Sequence, residues 1–485
     1  MNQTAQPASL ARRIAGQSLL LFAGYGFAQF FSLLRNALIG HVIAKGDFGV
    51  ATAITLVLQT VETLTDLGAD RLIIQAPDGD KPRVLATAHT LLVMRGLLLS
   101  FLLIAASPFF ARSFGAAFAT DAFAIAALAP AIKGFLHLDI RRAQRHFDNR
   151  PQIAVEVLPQ ALALLVTFPV LHLIPDYGSV VALTLLQAIA AVAASHALAR
   201  APYRLAFERD VVARQLTFGW PILASALPLV AVFQGDRLLI AHFAGLEALA
   251  EYTAAFMVTM VPGLIAAKVG HALLLPLFSE ALRSGRNFAA TFKLATEATV
   301  VLAATYLAAF IAAGDVLLPL VFGPKYAGLG TITAWLAAMW SVRMLQAVPG
   351  MALMASGTTR PFLTAGIIRA LALPVVALAA ANAASLATLA ATGVAFEVAS
   401  LLYVCWRISR LQTGLGSIVL RRTLYLAPVA IASLLLIVDA PQSGFGRAIA
   451  AAFLLAAVST SGIALMPSLN ALARQTLHRR PLAAH

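Results

Sequence analysis

The sequence has few of the residues that enzymes and cross-linked proteins use. Cys405 is its only cysteine, which excludes disulfides within the chain and cysteine-based metal sites. Charged residues make up 12% of the 485 residues, about half the share of roughly 25% in soluble proteins. There is no Gly-rich phosphate loop, and the histidines are scattered over different segments, so neither ATP hydrolysis nor a histidine metal site is indicated. We predict no catalytic residues, no cofactor and no metal.

Apolar residues make up 60% of the chain, and they gather in runs long enough to cross a membrane. A transmembrane helix needs about 20 predominantly apolar residues, and a sliding-window reading finds fourteen such runs. The fold class predicted is therefore an all-α integral membrane protein with about fourteen transmembrane helices. These are residues 14–43, 48–67, 84–110, 117–138, 153–174, 179–199, 217–243, 249–277, 292–318, 331–354, 362–382, 386–408, 423–438 and 447–466.

The basic residues sort to one side of these spans. Of the 35 Lys and Arg residues, 24 lie in loops on the side of the N-terminus, four in the opposite loops and seven within spans. Short basic loops stay in the cytoplasm, which predicts a multi-pass protein of the bacterial inner membrane with both termini cytoplasmic. The net charge of +14 indicates contact with anionic lipid headgroups. It does not indicate nucleic acid, because the basic loops lack interleaved aromatic residues.

The chain contains an internal repeat. Leu38-Ile39-Gly40-His41-Val42 ends the first span, and Leu239-Ile240-Ala241-His242-Phe243 ends the seventh, 201 residues later. Two six-helix halves in the same orientation form a parallel repeat, as in some transporters. The predicted domains are an N-terminal six-helix lobe at 1–200, a C-terminal six-helix lobe at 201–410, and two extra helices with a cytoplasmic tail at 411–485.

Polar residues form stripes on the first two spans, at steps of three and four that keep them on one helix face. Such a helix faces water or protein and not lipid, so two neighbouring stripes predict a hydrated cavity. The alternative is polar contact between packed helices. The stripes comprise Ser18, Tyr25, Gln29, Ser32 and Asn36 on the first span, and Thr52, Thr55, Gln59, Glu62, Thr63 and Asp66 on the second.

Basic residues inside the spans are the strongest candidates for a binding site. A charge at the bilayer centre costs about 2.5–3.5 kcal/mol on insertion scales and marks a functional position. Arg95, Lys268 and Arg343 lie near the middle of their spans, and Arg35 and Arg237 lie nearer the outside. We predict that these five bind an anionic substrate. Lys133 is close enough to a span end to extend its ammonium into water.

Against seven basic residues within spans we count four acidic ones, Glu62, Asp236, Glu297 and Glu397, which predicts a net positive interior. Glu297 is four residues from Lys293 and is expected to pair with it. The other three are candidates for ion coupling, with pairing to a buried arginine as the alternative for Glu62 and Glu397. The basic loop at 139–148 is predicted to be a solvated cytoplasmic turn.

Several motifs resemble the bacterial oligosaccharide and O-antigen flippases of the polysaccharide transporter family. These motifs are Lys45-Gly46-Asp47-Phe48-Gly49, Leu64-Thr65-Asp66-Leu67-Gly68, Gln234-Gly235-Asp236-Arg237-Leu238-Leu239-Ile240 and Leu275-Pro276-Leu277-Phe278-Ser279. The family belongs to the multidrug/oligosaccharidyl-lipid/polysaccharide exporter superfamily. The resemblance implies two six-helix lobes around a central cavity. It also implies flipping of undecaprenyl-diphosphate-linked oligosaccharide for lipopolysaccharide O-antigen, capsule or exopolysaccharide biosynthesis. Other polysaccharide assembly proteins are then candidate partners.

Three alternatives remain open. A multidrug exporter of the same superfamily would be expected to have an acidic cavity for cations, whereas the first span contains no Asp or Glu. A membrane polysaccharide polymerase or ligase also binds polyprenyl diphosphate, but would be expected to carry a substantial outer loop; the outer loops here are only about ten residues long. A structural scaffold gains nothing from charges buried at a cost.

Overall fold

The protein is built from helices throughout the residues that its computed structural model describes, which are 6–146, 148–283, 287–439 and 444–478. Ten helices in these ranges are long and apolar enough to cross a membrane, and a bent helix pair brings the number to eleven. The chain is therefore a multi-pass membrane protein, as the apolar runs predicted.

The chain divides into two compact units, Met1–Ala250 and Glu251–His485. Proline stands in the first turn of two long helices of the first unit, where no backbone hydrogen bond is lost. The helices of this unit are α1 (Gln6–Val42), α2 (Lys45–Leu64), α3 (Ala69–Gln75), α4 (Pro82–Ser113), α5 (Thr120–Ala126), α6 (Leu128–Gly134), α7 (Asp139–Arg145), α8 (Arg150–Leu173), α9 (Gly178–Leu198) and α10 (Arg209–Phe243).

In the second unit, the helix Gly330–Ala355 packs against the helices Phe288–Phe322 and Leu386–Leu411, and the core there includes Phe292, Leu345 and Val404. The first helix, α11, begins in the last residues of the first unit. The helices are α11 (Leu246–Arg283), α12 (Phe288–Phe322), α13 (Gly330–Ala355), α14 (Arg360–Ala370), α15 (Ala372–Ala381), α16 (Leu386–Leu411), α17 (Leu415–Thr423), α18 (Leu426–Asp439), α19 (Gly444–Leu465) and α20 (Pro467–His478).

Each of the fourteen predicted spans coincides with one helix or with two or three consecutive helices. The two copies of the repeated pentad end α1 at Val42 and α10 at Phe243, and the next helices start at Lys45 and Leu246. The repeat thus recurs at equivalent points of the chain. The number fourteen itself, and the lobe boundaries at 200 and 410, stay predictions.

The second predicted span is broken near its end. Helix α2 stops at Leu64, and α3 continues at an angle of 43°. Gly68 has a φ of 62°, a left-handed conformation that glycine adopts without strain. The Asp66 carboxylate accepts the N–H of Gly68 at 3.0 Å, which forms a local turn in place of helix. A sliding window averages the hydropathy of Asp66, Leu67 and Gly68 with that of their apolar neighbours. The sequence-based prediction therefore missed both the break and α3.

Two buried histidines hold the connection between α9 and α10. The Leu138 N–H donates to Nε2 of His89 at 3.0 Å, so His89 Nδ1 carries the proton that it shares with the Arg204 carbonyl at 3.2 Å. The Asp139 N–H donates to His137 Nδ1 at 3.2 Å, and His137 Nε2 contacts the Ala201 carbonyl at 2.9 Å. Both rings must be neutral to accept these N–H groups.

Acid is expected to loosen this arrangement. Burial lowers the pKa of His137, which lies beyond the span ending at Gly134, below its ordinary value of 6.5. The charges of His196 and Arg142 lower it further, while the Ala201 hydrogen bond and the Asp139 charge oppose the shift. Because the unfolded chain then binds more protons, this contribution to stability is complete above pH 6.5 and declines below it.

The measurement is the melting temperature in detergent from pH 7.5 to 5.0. We expect the wild type to melt at lower temperature as the pH falls. His137→Gln keeps a donor for Ala201 but cannot be protonated, so its melting temperature should depend less on pH. An equal dependence in the two proteins would contradict the role given to His137.

Candidate functional site

Three ion pairs in the first unit connect the broken second span to its neighbours. The acidic members follow one another at intervals of four residues, with Glu62 in α2, Asp66 in the break and Asp70 in α3. Their partners come from α4, α6 and α7. The pairs are Glu62 with Lys133 at 3.0 Å, Asp66 with Arg95 at 3.8 Å and Asp70 with Arg141 at 3.3 Å. We call this set the ion-pair ladder.

Two cavities open beside the ladder, and Arg95 lines both. One has a volume of about 150 Å³ and is lined by Glu62, Lys133 and the close crossing of Gly96 and Gly134. The other has a volume of about 180 Å³ and is lined by charged residues of the other two ion pairs, including Asp66, Asp70 and Arg141. A water molecule occupies roughly 30 Å³ in the liquid, so each cavity has room for a few waters. Of the polar stripe predicted on the second span, Glu62 and Asp66 line a space large enough for water.

Arg95 stabilises the helix break. Its Nη2 donates to the Glu62 carbonyl at 2.5 Å and to Thr65 Oγ1 at 3.3 Å. The Gln215 amide donates to the Leu67 carbonyl at 2.6 Å. A broken helix leaves carbonyls without intrahelical partners, and inside a membrane these need other donors. Arg95, predicted to bind substrate, thus has hydrogen bonds to its own unit.

Arg35 differs from Arg95 in having no carboxylate partner among the residues that the structure describes. Its Nη1 donates to Gln160 Oε1 at 3.4 Å, and Gln160 Oε1 also accepts from Gln187 at 2.7 Å. The buried Nε atom has no hydrogen-bond partner within the described chain. Arg35 is therefore a half-buried cation in a span, next to two amides and with a hydrogen-bond donor to spare.

In the second unit, Arg343 pairs with Glu397. Nε of Arg343 and Oε1 of Glu397 are 2.6 Å apart, and the two side chains are 9% and 3% exposed. The guanidinium also lies 4.9 Å from the centre of the Trp340 ring, within the range of a cation–π contact. The alternative considered for Glu397, pairing to a buried arginine, is the one observed.

The remaining predicted residues lie elsewhere. Arg237 donates from Nη2 to the Phe233 carbonyl one turn earlier at 2.7 Å, and its own N–H contacts the Asp236 carboxylate at 2.8 Å. The side chain of Lys268 lies outside the described residues. The structure therefore brings Glu62 and Arg95 together, and Arg343 and Glu397. The assignment of substrate binding and ion coupling to these residues stays a prediction.

The predicted net positive interior needs correction. The sequence-based count of four acidic residues left out five others within the predicted spans, which are Asp66, Asp121, Glu156, Glu251 and Asp315. Asp66 belongs to the ladder, and Glu156 accepts hydrogen bonds from Tyr25 and Gln152. Lys133 does not simply extend toward water, because its ammonium contacts both oxygens of Glu62. Pairing thus neutralises several of the bases.

Two further expectations are wrong. Glu297 does not pair with Lys293; its carboxylate contacts Arg422 at 3.1 Å and accepts the N–H groups of Ser468 and Leu469 at the start of α20. A carboxylate suits the positive end of a helix.

The loop 139–148 was predicted to be a solvated turn, but its residues Asp139–Arg145 form α7. Arg145 donates to the carbonyls of Ile74 and Ala76 and pairs with Asp80 at 3.1 Å. These carbonyls, at the end of α3, need donors, which explains why α7 packs against α3.

Sequence reasoning missed Lys133, Gln160 and Gln187 as members of these clusters. The signal for the ladder was present in the four-residue spacing of Glu62, Asp66 and Asp70. The partners lie 29 or 71 residues away along the chain from their acids, so spacing alone does not identify them.

Comparison with known families decides the classification. A family model described as "Polysaccharide biosynthesis protein" matches residues 40–329, more than half of the chain. The chain belongs to this family. A comparison with the sequences of curated proteins finds no match. The resemblance to polysaccharide transporters inferred from the motifs is confirmed.

Solved structures share the fold at low sequence identity. The lipid II flippase MurJ, in an inward closed conformation, aligns with a TM-score of 0.70 and 12% identity over 95% of this chain and 100% of that chain. An inward-facing multidrug resistance MATE family transporter of the MOP superfamily aligns with a TM-score of 0.60 and 14% identity over 80% and 96%. The polysaccharide biosynthesis protein described here therefore has the all-helical fold of this transporter superfamily.

Proposed function

We propose that this polysaccharide biosynthesis protein flips undecaprenyl-diphosphate-linked oligosaccharides from the cytoplasmic to the periplasmic leaflet of the bacterial inner membrane by alternating access. The observation that carries the proposal is the family match over residues 40–329. The fold shared with a protein titled a lipid II flippase supports it. Transport without catalysis is part of the proposal, and the glycan would serve lipopolysaccharide, capsule or exopolysaccharide synthesis.

The chemistry of Arg35 suits this cargo. A diphosphate must lose water to cross the membrane, and an arginine replaces that water through charge-assisted hydrogen bonds. Arg35 has no competing carboxylate in the described chain, and its amide neighbours Gln160 and Gln187 can bond to sugar hydroxyls or phosphate oxygens. We therefore place Arg35 first among the five predicted basic residues, because Arg95 and Arg343 already contact carboxylates.

The membrane potential can drive such a cargo. A diphosphate carries about two negative charges, and the inside-negative potential favours their outward movement. At about 2.3 kcal/mol per charge per 100 mV, export gains roughly 4–5 kcal/mol before any ion coupling. Ion coupling through Glu62, Asp236 or Glu397 would add to this term.

Multidrug export is the second candidate, and the MATE-like fold is the observation that favours it. A cationic drug would need an uncompensated carboxylate. Glu62 and Glu397 are both paired with bases, which speaks against this reading. The family match likewise favours polysaccharide synthesis.

Removal of the protein from its cells tests the proposal. Polyprenyl-diphosphate-linked oligosaccharide should accumulate and remain on the cytoplasmic side, and surface polysaccharide should fall. Unchanged lipid-linked sugar together with new sensitivity to cationic drugs would contradict the proposal and support multidrug export.

The proposed topology has both termini in the cytoplasm, and single cysteines test it. In a Cys405→Ala background, Thr413→Cys lies in a predicted inner loop and Ala327→Cys in a predicted outer loop, and both positions are exposed. We expect a membrane-impermeant thiol reagent to label position 327 in intact cells and to spare position 413. The opposite pattern would invert the topology.

A further inference from the structure

The segment between α9 and α10, residues 199–208, has no helix or strand, yet its backbone is held along its length. We call it the strap. Side chains of the first unit supply most of the hydrogen bonds: they are the buried His89, His137, Asp139 and Thr87 and the half-buried Thr90. An irregular segment with this many backbone partners is fixed in shape.

The hydrogen bonds hold the backbone and leave several side chains facing outward. Arg200 donates its N–H to Asp139 at 2.7 Å, while its guanidinium is exposed. Arg204 is exposed as well, and neither arginine has an ion-pair partner in the described chain. Leu205 and Phe207 are 55% and 57% exposed. The strap therefore presents two exposed arginines beside two exposed apolar side chains on a fixed backbone.

The position of the strap along α4 places it near the membrane interface. Ala206 donates its N–H to Thr90 at 3.0 Å, eight residues into the helix that starts at Pro82. Helix α4 has 32 residues, which at 1.5 Å per residue is about 48 Å. The hydrocarbon core is about 30 Å thick. The first two turns of α4, and the strap against them, thus lie where headgroups meet acyl chains.

We propose that the strap is a binding site for anionic phospholipid headgroups of the cytoplasmic leaflet. Arg200 and Arg204 bind the phosphate groups, and Leu205 and Phe207 enter the upper acyl region. Charge complementarity selects anionic over zwitterionic lipid, at about 1 kcal/mol for each basic residue near the surface. The fixed backbone lowers the entropy lost on binding. This lipid site is separate from transport of the cargo.

The test uses the full-length protein in nanodiscs that contain phosphatidylglycerol or phosphatidylcholine, with retained lipid measured by native mass spectrometry. Arg200→Gln and Arg204→Gln should each weaken retention of phosphatidylglycerol roughly fivefold, the equivalent of about 1 kcal/mol. Retention of phosphatidylcholine should not change. Phe207→Ala should weaken retention of both lipids.

Arg112→Gln is the matched control, because Arg112 is an exposed arginine at the opposite end of α4. It should retain phosphatidylglycerol like the wild type. Equal retention by the Arg200→Gln/Arg204→Gln double variant and the wild type would overturn the proposal. An equal loss in Arg112→Gln would do the same. If the double variant weakens binding of added polyprenyl diphosphate and leaves phosphatidylglycerol unaffected, the strap recognises cargo and the lipid proposal is wrong.

Discussion

Replacing Arg343 with methionine is expected to destabilise the second unit by about 3–5 kcal/mol, because Glu397 then keeps a buried charge without its partner. The carboxylate side chain is only 3% exposed, and Arg343 Nε is 2.6 Å from it. Its other oxygen, Oε2, has no hydrogen-bond partner in the described chain. Removal of Arg343 therefore leaves a buried carboxylate without its hydrogen-bonding partner, and only Arg369 among the neighbouring described cations still interacts with it electrostatically.

The double variant Arg343→Met/Glu397→Leu should recover most of this loss. Replacing a buried ion pair by apolar residues of similar volume is often neutral or stabilising. Melting temperature in detergent is the measurement, and the single variant should melt lower by on the order of 10 °C. The matched control is Arg410→Met, an exposed position on α16, where surface changes usually stay within about 0.5 kcal/mol.

The same variants separate a structural role from a role in transport. If the stable double variant still flips cargo, the pair serves stability alone. If it is stable and inactive, Arg343 or Glu397 takes part in transport as the sequence suggested. A double variant no more stable than Arg343→Met would contradict the interpretation of the pair as a mutually compensating unit.

Neutralising Arg35 should have the opposite effect: transport should fall, whereas stability should not. Arg35→Gln is expected to slow flipping at least tenfold, since a hydrogen bond to a charged group contributes about 1.5–3 kcal/mol. Stability should stay equal or rise, because an unpaired charge in a span is costly to insert. Arg35→Lys keeps the charge but lacks the planar guanidinium that can form two parallel hydrogen bonds, so its flipping rate should be intermediate.

The measurement pairs initial flipping rates in vesicles with melting temperatures of the same preparations. Arg112→Gln removes an exposed arginine outside the site and should match the wild type in both. Full transport by Arg35→Gln would remove Arg35 from the cargo path. A fall in both stability and transport would indicate a packing role.

The sequence predicted the helical segments well because each depends on local composition. Runs of about 20 apolar residues are a property of neighbours in the chain, and the pentads ending at Val42 and Phe243 do end helices. The break at Asp66 to Gly68 was visible as an Asp and a glycine, but the window averaged it with its apolar surroundings.

The site was harder to predict because its contacts join distant segments. Helical periodicity places Glu62 on a polar face, and it does not say that Lys133, 71 residues later, pairs with it. The count of charged residues in the sequence took no account of ion pairs between basic and acidic residues. The structure distinguishes Arg343, which pairs with a carboxylate, from Arg35, whose described hydrogen-bond partner is the Gln160 amide. Only three-dimensional packing makes that distinction.

The central claim is that this polysaccharide biosynthesis protein moves polyprenyl-diphosphate-linked oligosaccharide between leaflets. The direct measurement reconstitutes the purified protein in vesicles with a fluorescent polyprenyl-diphosphate-linked oligosaccharide and follows its accessibility to an impermeant quencher. We predict protein-dependent transfer that accelerates when the potential is negative on the side of the loaded leaflet, and that slows at least tenfold in Arg35→Gln. Transfer no faster than in protein-free vesicles, under either polarity of the potential and with a pH gradient imposed, would contradict the account.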